Sequence, residues 1–225
     1  MISAIIVAGG KGERLSAELP KQFLDLGGKP VLLRSIECIW ACTRISEMIV
    51  VVPEAFISKT QEILTGKEVL IVAGGAERQD SVFAGLQACS SKAELIAIHD
   101  GVRPFAGKEM IERVIAAAER YGAAIPGLPV KETIKEVESK TKKVIGTVDR
   151  TRLFTVQTPQ VFKRSLIMEA HNRAQNLGFY ATDDAGLVEW LGQEVVLVPG
   201  EETNIKITTP FDFKLAENVL QEMKK

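Results

Sequence analysis

Short, unbroken apolar runs rich in β-branched residues recur along this chain, at residues 4–7, 48–52, 69–72, 95–98, 123–128 and 195–198. A strand with one wet face alternates polar and apolar side chains, so continuous apolar strands are covered on both faces. That requirement points to a largely parallel sheet held between helix layers. The intervening segments supply the layers, because helical periodicity runs over residues 31–43, 55–64, 78–88, 108–121, 164–176, 183–191 and 210–224. The expected fold is therefore α/β and Rossmann-like. The last helix has a well-marked start: Thr209 is placed to cap it, Pro210 suits the first helical position, and Asp212 favours the positive end of the dipole.

One stretch breaks the pattern. Residues 133–137 and 143–148 alternate polar and apolar side chains around a charged turn, which predicts a β-hairpin. Its polarity keeps it out of the core, so residues of about 131–150 are expected to project as an arm. An isolated hairpin is marginal by itself, and packing against a second subunit is the natural way to steady it, a solvated flap being the alternative. The rest, with 225 residues and no linker, low-complexity tract or repeat, is expected to form one domain over 1–225.

Charge and cysteine content narrow the function classes. Lys and Arg total 28 against 29 acids, so no global positive field is present to hold a nucleic acid. No apolar run approaches the roughly 18 residues of a membrane span, and the first strand follows no basic leader. Cys38, Cys42 and Cys89 are an odd set in apolar helical segments, which fits reduced thiols and a cytoplasmic location. Cys38 and Cys42 share a helix face, yet no further Cys or His adjoins them, so core packing is expected rather than a metal site.

The first strand leads into Ala8-Gly9-Gly10-Lys11-Gly12-Glu13-Arg14, with Pro20-Lys21-Gln22 shortly after. A glycine-rich turn leaving a buried strand lets backbone N–H groups approach phosphate closely, while Lys11, Arg14 and Lys21 offset its charge. The spacing matches neither Gly-x-x-x-x-Gly-Lys-Ser/Thr nor Gly-x-Gly-x-x-Gly. It reads as a different cradle for a nucleoside triphosphate, against the alternative of a strand-to-loop turn that merely needs glycine.

In an open parallel sheet, ligands bind beyond the carboxyl ends of the strands. Three further motifs fall there. Gly74-Gly75-Ala76-Glu77-Arg78-Gln79-Asp80-Ser81 follows one strand as a turn suited to a base, and His99-Asp100-Gly101-Val102-Arg103-Pro104 follows another. Asp100 is suited to a divalent metal or substrate hydroxyls and Arg103 to a phosphate, unless the two simply pair with each other. Asn204-Ile205-Lys206-Ile207-Thr208 precedes the last helix. Asp183 and Asp184 open a helix, where acids ordinarily serve the dipole. His99 and His171 are the only histidines, neither beside a plausible nucleophile, so Ser-His-Asp hydrolysis is disfavoured and His99 is read as a structural hydrogen-bonding residue.

These motifs, together with Pro129-Val130-Lys131-Glu132-Thr133, Asp149-Arg150, Gln157-Thr158-Pro159-Gln160 and Thr182-Asp183-Asp184, occur in an order that resembles the 2-C-methyl-D-erythritol 4-phosphate cytidylyltransferase family over nearly the whole chain. The resemblance implies transfer of CMP from CTP to a polyol phosphate with release of pyrophosphate. It implies that Arg14, Lys21, Arg150 and Lys206 serve catalysis, and that Ala8, Gly9, Gly10, Gly12, Gly74, Gly75, Ala76, Ser81 and Asp100 hold the nucleotide together with Arg14 and Lys21. It assigns Asp100, Arg103, Thr133, Arg150, Thr182 and Lys206 to the polyol phosphate, with Thr133 and Arg150 reaching a partner's site in a homodimer, and Mg²⁺ arriving on the CTP phosphates. His-Asp-Gly-Val-Arg-Pro departs from the family's more usual His-Asp-Ala-Ala-Arg-Pro, and Ala76 stands where an acid is common. The alternatives are a ribitol 5-phosphate cytidylyltransferase and a CTP-binding module without catalysis.

Overall fold

The computed structural model describes residues 1–9 and 19–223. Gly10, Lys11, Gly12 and Arg14, and the expected end of the last helix at residue 224, lie outside the described residues. The strands are β1 (Ile2–Val7), β2 (Ile45–Val52), β3 (Leu70–Ala73), β4 (Leu95–Asp100), β5 (Ala123–Pro129), β6 (Ile134–Val137), β7 (Val144–Val148), β8 (Phe154–Val156), β9 (Gln160–Lys163) and β10 (Val196–Pro199). The helices are α1 (Val31–Trp40), α2 (Ile57–Ile63), α3 (Arg78–Ala88), α4 (Lys108–Tyr121), α5 (Arg164–Leu177), α6 (Asp184–Trp190) and α7 (Pro210–Glu222).

The main sheet runs β10-β5-β9-β4-β1-β2-β3, with β8 added beside β5. Pairs β1/β2, β1/β4, β2/β3 and β5/β10 are parallel. The antiparallel β9 lies between β4 and β5, and β8 is also antiparallel. The sheet is thus mostly parallel, as expected, but β8 and β9 are strands that the apolar pattern passes over. They are three and four residues long, and β9 pairs only with segments distant in sequence, so no local signal announces them.

Both faces of the central strands are buried because successive side chains serve opposite layers. In β1, Ala4 and Ile6 join a core containing Leu32, Ile36, Met110 and Val114 from α1 and α4. Ile5 and Val7 face the opposite core, with Val82, Leu86, Ile167 and Leu187 from α3, α5 and α6. A third, smaller cluster joins Leu26, Val31, Val102, Phe105, Ile207 and Ala216, and so fastens the loop after β4 to the segment before α7. The α7 start is as anticipated: Thr209 Oγ1 accepts from Asp212 N at 3.2 Å, and an Asp212 carboxylate oxygen accepts from Thr209 N at 2.8 Å.

Strands β6 and β7 pair only with each other, giving a separate antiparallel hairpin. Cys38, Cys42 and Cys89 are free thiols, and burial pushes Cys38 and Cys89 up to about 12. Among the described residues, no helix is long and apolar enough to cross a membrane.

Candidate active site

Strand β1 lies beside β4, and the chain runs from β1 to β2 on one side and from β4 to β5 on the other. A crevice opens at such a switch point. Here it is a cleft of about 400 Å³ whose lining includes Ala8, Gly9, Lys21, Gln22, Ala76, Arg78, Asp100 and Lys206. Ala8 N donates to Val51 O at 2.8 Å and Gly101 N to Val7 O at 2.8 Å, so the sheet's hydrogen bonding continues to the cleft's floor. Gln22 Nε2 donates to Ala8 O at 2.8 Å, tying the Pro20-Lys21-Gln22 turn to the first glycine turn. Lys21 and Lys206 thus face one cleft from distant parts of the chain.

The two glycine turns are set by Ser81. Its hydroxyl accepts from Gly75 N at 3.2 Å and donates to Glu77 O at 3.1 Å. A Cβ on Gly9 would stand 2.7 Å from this oxygen, and one on Gly74 2.6 Å. Both positions therefore need glycine for close approach rather than for backbone angle. Gly75 is tighter still, since its Cβ would lie 2.3 Å from Asp80 Cβ.

Asp100 ends β4 with its carboxylate buried and faced by three cations. Lys206 Nζ lies 2.9 Å and Arg103 Nε 3.5 Å from Oδ2, while Arg78 Nε lies 3.2 Å from Oδ1. Burial opposes ionisation, but Arg78, Lys206 and Arg103 outweigh it and hold the carboxyl well below the usual carboxylate range. Arg103 is itself buried and donates from Nη1 to Asn204 O at 2.7 Å. It thereby ties Asp100 to the segment that carries Lys206.

The segment Gln157-Thr158-Pro159-Gln160 wires the site together from behind. Gln157 exchanges hydrogen bonds with Glu201 N and O at 3.1 and 2.8 Å, Thr158 Oγ1 accepts from Asp100 N at 3.0 Å, and Gln160 receives Ala185 N at 3.1 Å. His99 is fully buried, with Nδ1 3.0 Å from Thr158 Oγ1 and Nε2 2.9 Å from Arg103 O. Burial lowers its pKa to about 4, so the ring is a neutral structural link, as its position suggested.

Thr133, Arg150 and Thr182 are exposed and are not among the cleft's lining residues. Arg150 donates to Lys131 O at the base of the hairpin. Sequence reasoning missed Gln22, Arg78 and Asp184 as site residues. Arg78 and Asp184 form a buried-side ion pair at 2.7 Å, a partnership with no local sequence mark. Asp183 behaves as expected, accepting from Gly186 N at 2.9 Å as the α6 cap, whereas Asp184 turns inward.

A doubly covered, mostly parallel sheet with two glycine turns and lysines gathered at its switch point places this chain in the nucleotide-binding α/β class. The family model for 2-C-methyl-D-erythritol 4-phosphate cytidylyltransferase matches residues 2–222. A protein of that name from Clostridium botulinum (strain Eklund 17B / Type B) is 44% identical over 221 residues, covering 96% of this chain and 98% of its own. The crystal structure of 4-diphosphocytidyl-2C-methyl-D-erythritol synthase from Anaerococcus prevotii DSM 20548 is similar with a TM-score of 0.87 at 33% identity, covering 98% of each chain. That of 2-C-methyl-D-erythritol 4-phosphate cytidylyltransferase from Thermus thermophilus has a TM-score of 0.80 at 38% identity, covering 97% of this chain and 98% of its own. The chain belongs to the 2-C-methyl-D-erythritol 4-phosphate cytidylyltransferase family, and is a nucleotidyltransferase.

Proposed function

We propose that this cleft transfers CMP from CTP to 2-C-methyl-D-erythritol 4-phosphate, releasing pyrophosphate and giving 4-diphosphocytidyl-2-C-methyl-D-erythritol for isoprenoid precursor synthesis. The observation that carries the reading is the convergence of Lys21 and Lys206 on one cleft beside the Ala8-Gly9 and Gly74-Gly75-Ala76 turns. A phosphate monoester is already an anionic nucleophile near neutral pH. The task is to bring it against the α-phosphorus of another anion, so positioning and fixed positive charge matter more than a base. His99 suits no base role, since both its nitrogens are engaged and it stays neutral.

Lys21 and Lys206, with Arg14, stabilise charge as an acceptor phosphate oxygen bonds to the α-phosphorus and the bond to the β-phosphate oxygen breaks. The backbone around Ala8 and Gly9 meets the cytosine, and Gly10 and Gly12 are assigned to the nucleotide's phosphates. The turn at Gly74, Gly75 and Ala76, spaced by Ser81, reads cytosine through main-chain atoms. Asp100 and Arg103 shape the acceptor side with Thr182. Mg²⁺ fits as a passenger on the triphosphate, because the Asp100 oxygens already face Arg78, Arg103 and Lys206. With CTP bound it would offset part of the triphosphate's negative charge.

Thr133 and Arg150 are assigned to the acceptor phosphate of a partner subunit in a homodimer. Val144 and Ile145 on the hairpin are 61% and 64% exposed, apolar surface that a second copy would cover. Sedimentation equilibrium tests this, and a monomer at micromolar concentration counts against it.

The decisive assay is pyrophosphate release from CTP with methylerythritol phosphate or ribitol 5-phosphate as acceptor. Preference for ribitol phosphate overturns the acceptor, and CTP binding without release overturns catalysis. Lys21→Ala removes a preorganised cation and is expected to cost about 3 kcal/mol or more of transition-state stabilisation with the fold intact. Near-normal turnover removes Lys21 from the mechanism.

A further inference from the structure

From the cleft a line of paired polar groups runs into the core, and its inner members take no part in the transfer step. Lys206 Nζ meets Asp100 at 2.9 Å, Asp100 Oδ1 accepts from Arg78 Nε at 3.2 Å, Arg78 Nη1 donates to Asp184 Oδ2 at 2.7 Å, and Asp184 Oδ1 stands 3.2 Å from His171 Nε2. Asp100, Asp184 and His171 are each more than nine-tenths buried. The line joins β4, α3, α6 and α5, and its inner members, Asp184 and His171, do not line the cleft.

We propose that Asp184 and His171 are positioning residues for the transfer reaction, acting through Arg78 to hold the Asp100 carboxylate that aims Lys206 into the cleft. The proposal rests on the cleft being the site of cytidylyl transfer.

Helix capping does not account for Asp184. Its neighbour Asp183 caps α6 through Gly186 N at 2.9 Å and also receives Gln160 Nε2 at 2.8 Å. The Asp184 carboxylate is left to divide its two oxygens between Arg78 and His171. Arg78 in turn spends two donors of a planar fork on carboxylates from different elements, which fixes its plane as a single ammonium would not. The His171 ring stacks on Phe83 of α3, with centroids 6.2 Å apart and planes 10° apart, so the helix that carries Arg78 also steadies its remote partner. Neutralising Asp184 leaves Arg78 one carboxylate, Asp100, for which Arg103 and Lys206 already compete. The exposed competitor, Lys206, is the one free to move, and it loses its aim. Turnover then suffers while CTP binding, spread over the glycine turns and Lys21, is largely kept.

The test compares Asp184→Asn, Arg78→Lys, their combination, His171→Gln and His171→Leu, each confirmed folded by a cooperative melt. Asp184→Asn is expected to lower kcat about ten- to hundredfold with KM for CTP changed less than about threefold. The combined variant is expected to match Arg78→Lys within about twofold, since both changes cut one line. His171→Gln keeps an N–H for Asp184 and is expected to stay within about threefold of the parent, whereas His171→Leu falls toward Asp184→Asn. Independently of turnover, labelling of Lys206 by an amine-directed reagent, read by mass spectrometry with Lys108 as reference, is expected to rise at least about threefold in Asp184→Asn. Parent-like kcat with unchanged Lys206 labelling overturns the proposal, as do kinetic losses that multiply in the combined variant. Should the parent release no pyrophosphate, the transfer reading fails, and the labelling ratio alone still decides whether Asp184 controls Lys206.

Discussion

Mild acid is expected to weaken this fold through His99 before most carboxylates take protons. The buried Nε2 faces the Arg103 carbonyl at 2.9 Å and must carry the ring's proton, so Nδ1 accepts from the Thr158 hydroxyl at 3.0 Å. That hydroxyl also accepts from Asp100 N, so a second ring proton disturbs a three-membered chain and leaves charge without water. Burial accordingly lowers the ring from 6.5 to about 4. The unfolded chain protonates His99 as pH falls through 6.5 and the folded chain resists until about 4, so the contribution is complete above 6.5 and is lost as pH drops toward 4. At about 1.4 kcal/mol per unit the whole effect is roughly 3 kcal/mol, of which about 2 kcal/mol falls between pH 7 and pH 5. Urea unfolding at those pH values, with one m-value, measures it. His99→Gln keeps an N–H for the Arg103 carbonyl but does not titrate. Its stability is lower at pH 7, and the gap to the parent is expected to narrow by about 2 kcal/mol on going to pH 5. Equal losses in both proteins refute the assignment of this pH dependence to His99.

Three other substitutions probe separate parts of the site. Asp100→Asn leaves Arg78, Arg103 and Lys206 crowded without their shared counter-charge and is expected to cost about 3–5 kcal/mol in denaturant unfolding. A loss under about 1 kcal/mol contradicts the anchoring role. Gly75→Ala drives a Cβ to 2.3 Å from Asp80 Cβ, and is expected to cost about 1–3 kcal/mol and weaken CTP binding several-fold by calorimetry. Unchanged affinity would show that this turn does not read the base. Thr209→Ala removes the α7 cap and is expected to lower stability by about 1 kcal/mol with turnover unchanged, a parent-like melt being the contrary result.

Much of the architecture was legible because it is written in local periodicity. Helix α4 follows its apolar repeat to the residue, α3 keeps its expected bounds, and the hairpin follows its alternation. The motif residues at the carboxyl ends of strands were placeable for the same reason: once β1 and β4 are recognised as buried parallel strands, Ala8, Gly9 and Asp100 have to emerge at one edge. The chain could also announce Lys21 and Lys206 as separate cationic motifs, since glycine turns and cations next to strand ends carry their chemistry in residue type.

Only the folded structure decided which charges face one another. Arg78 and Asp184 meet across α3 and α6, and Asp100 is shared among three cations contributed by different segments. It also inserted β9 between β4 and β5, and made Gln157, Thr158 and Gln160 internal hydrogen-bond partners of Glu201, Asp100 and Ala185. Periodicity reports how a segment divides itself between core and solvent, which depends on its own residues. The pairing of buried charges depends on how separate elements dock, and that is set by the packing of the whole core.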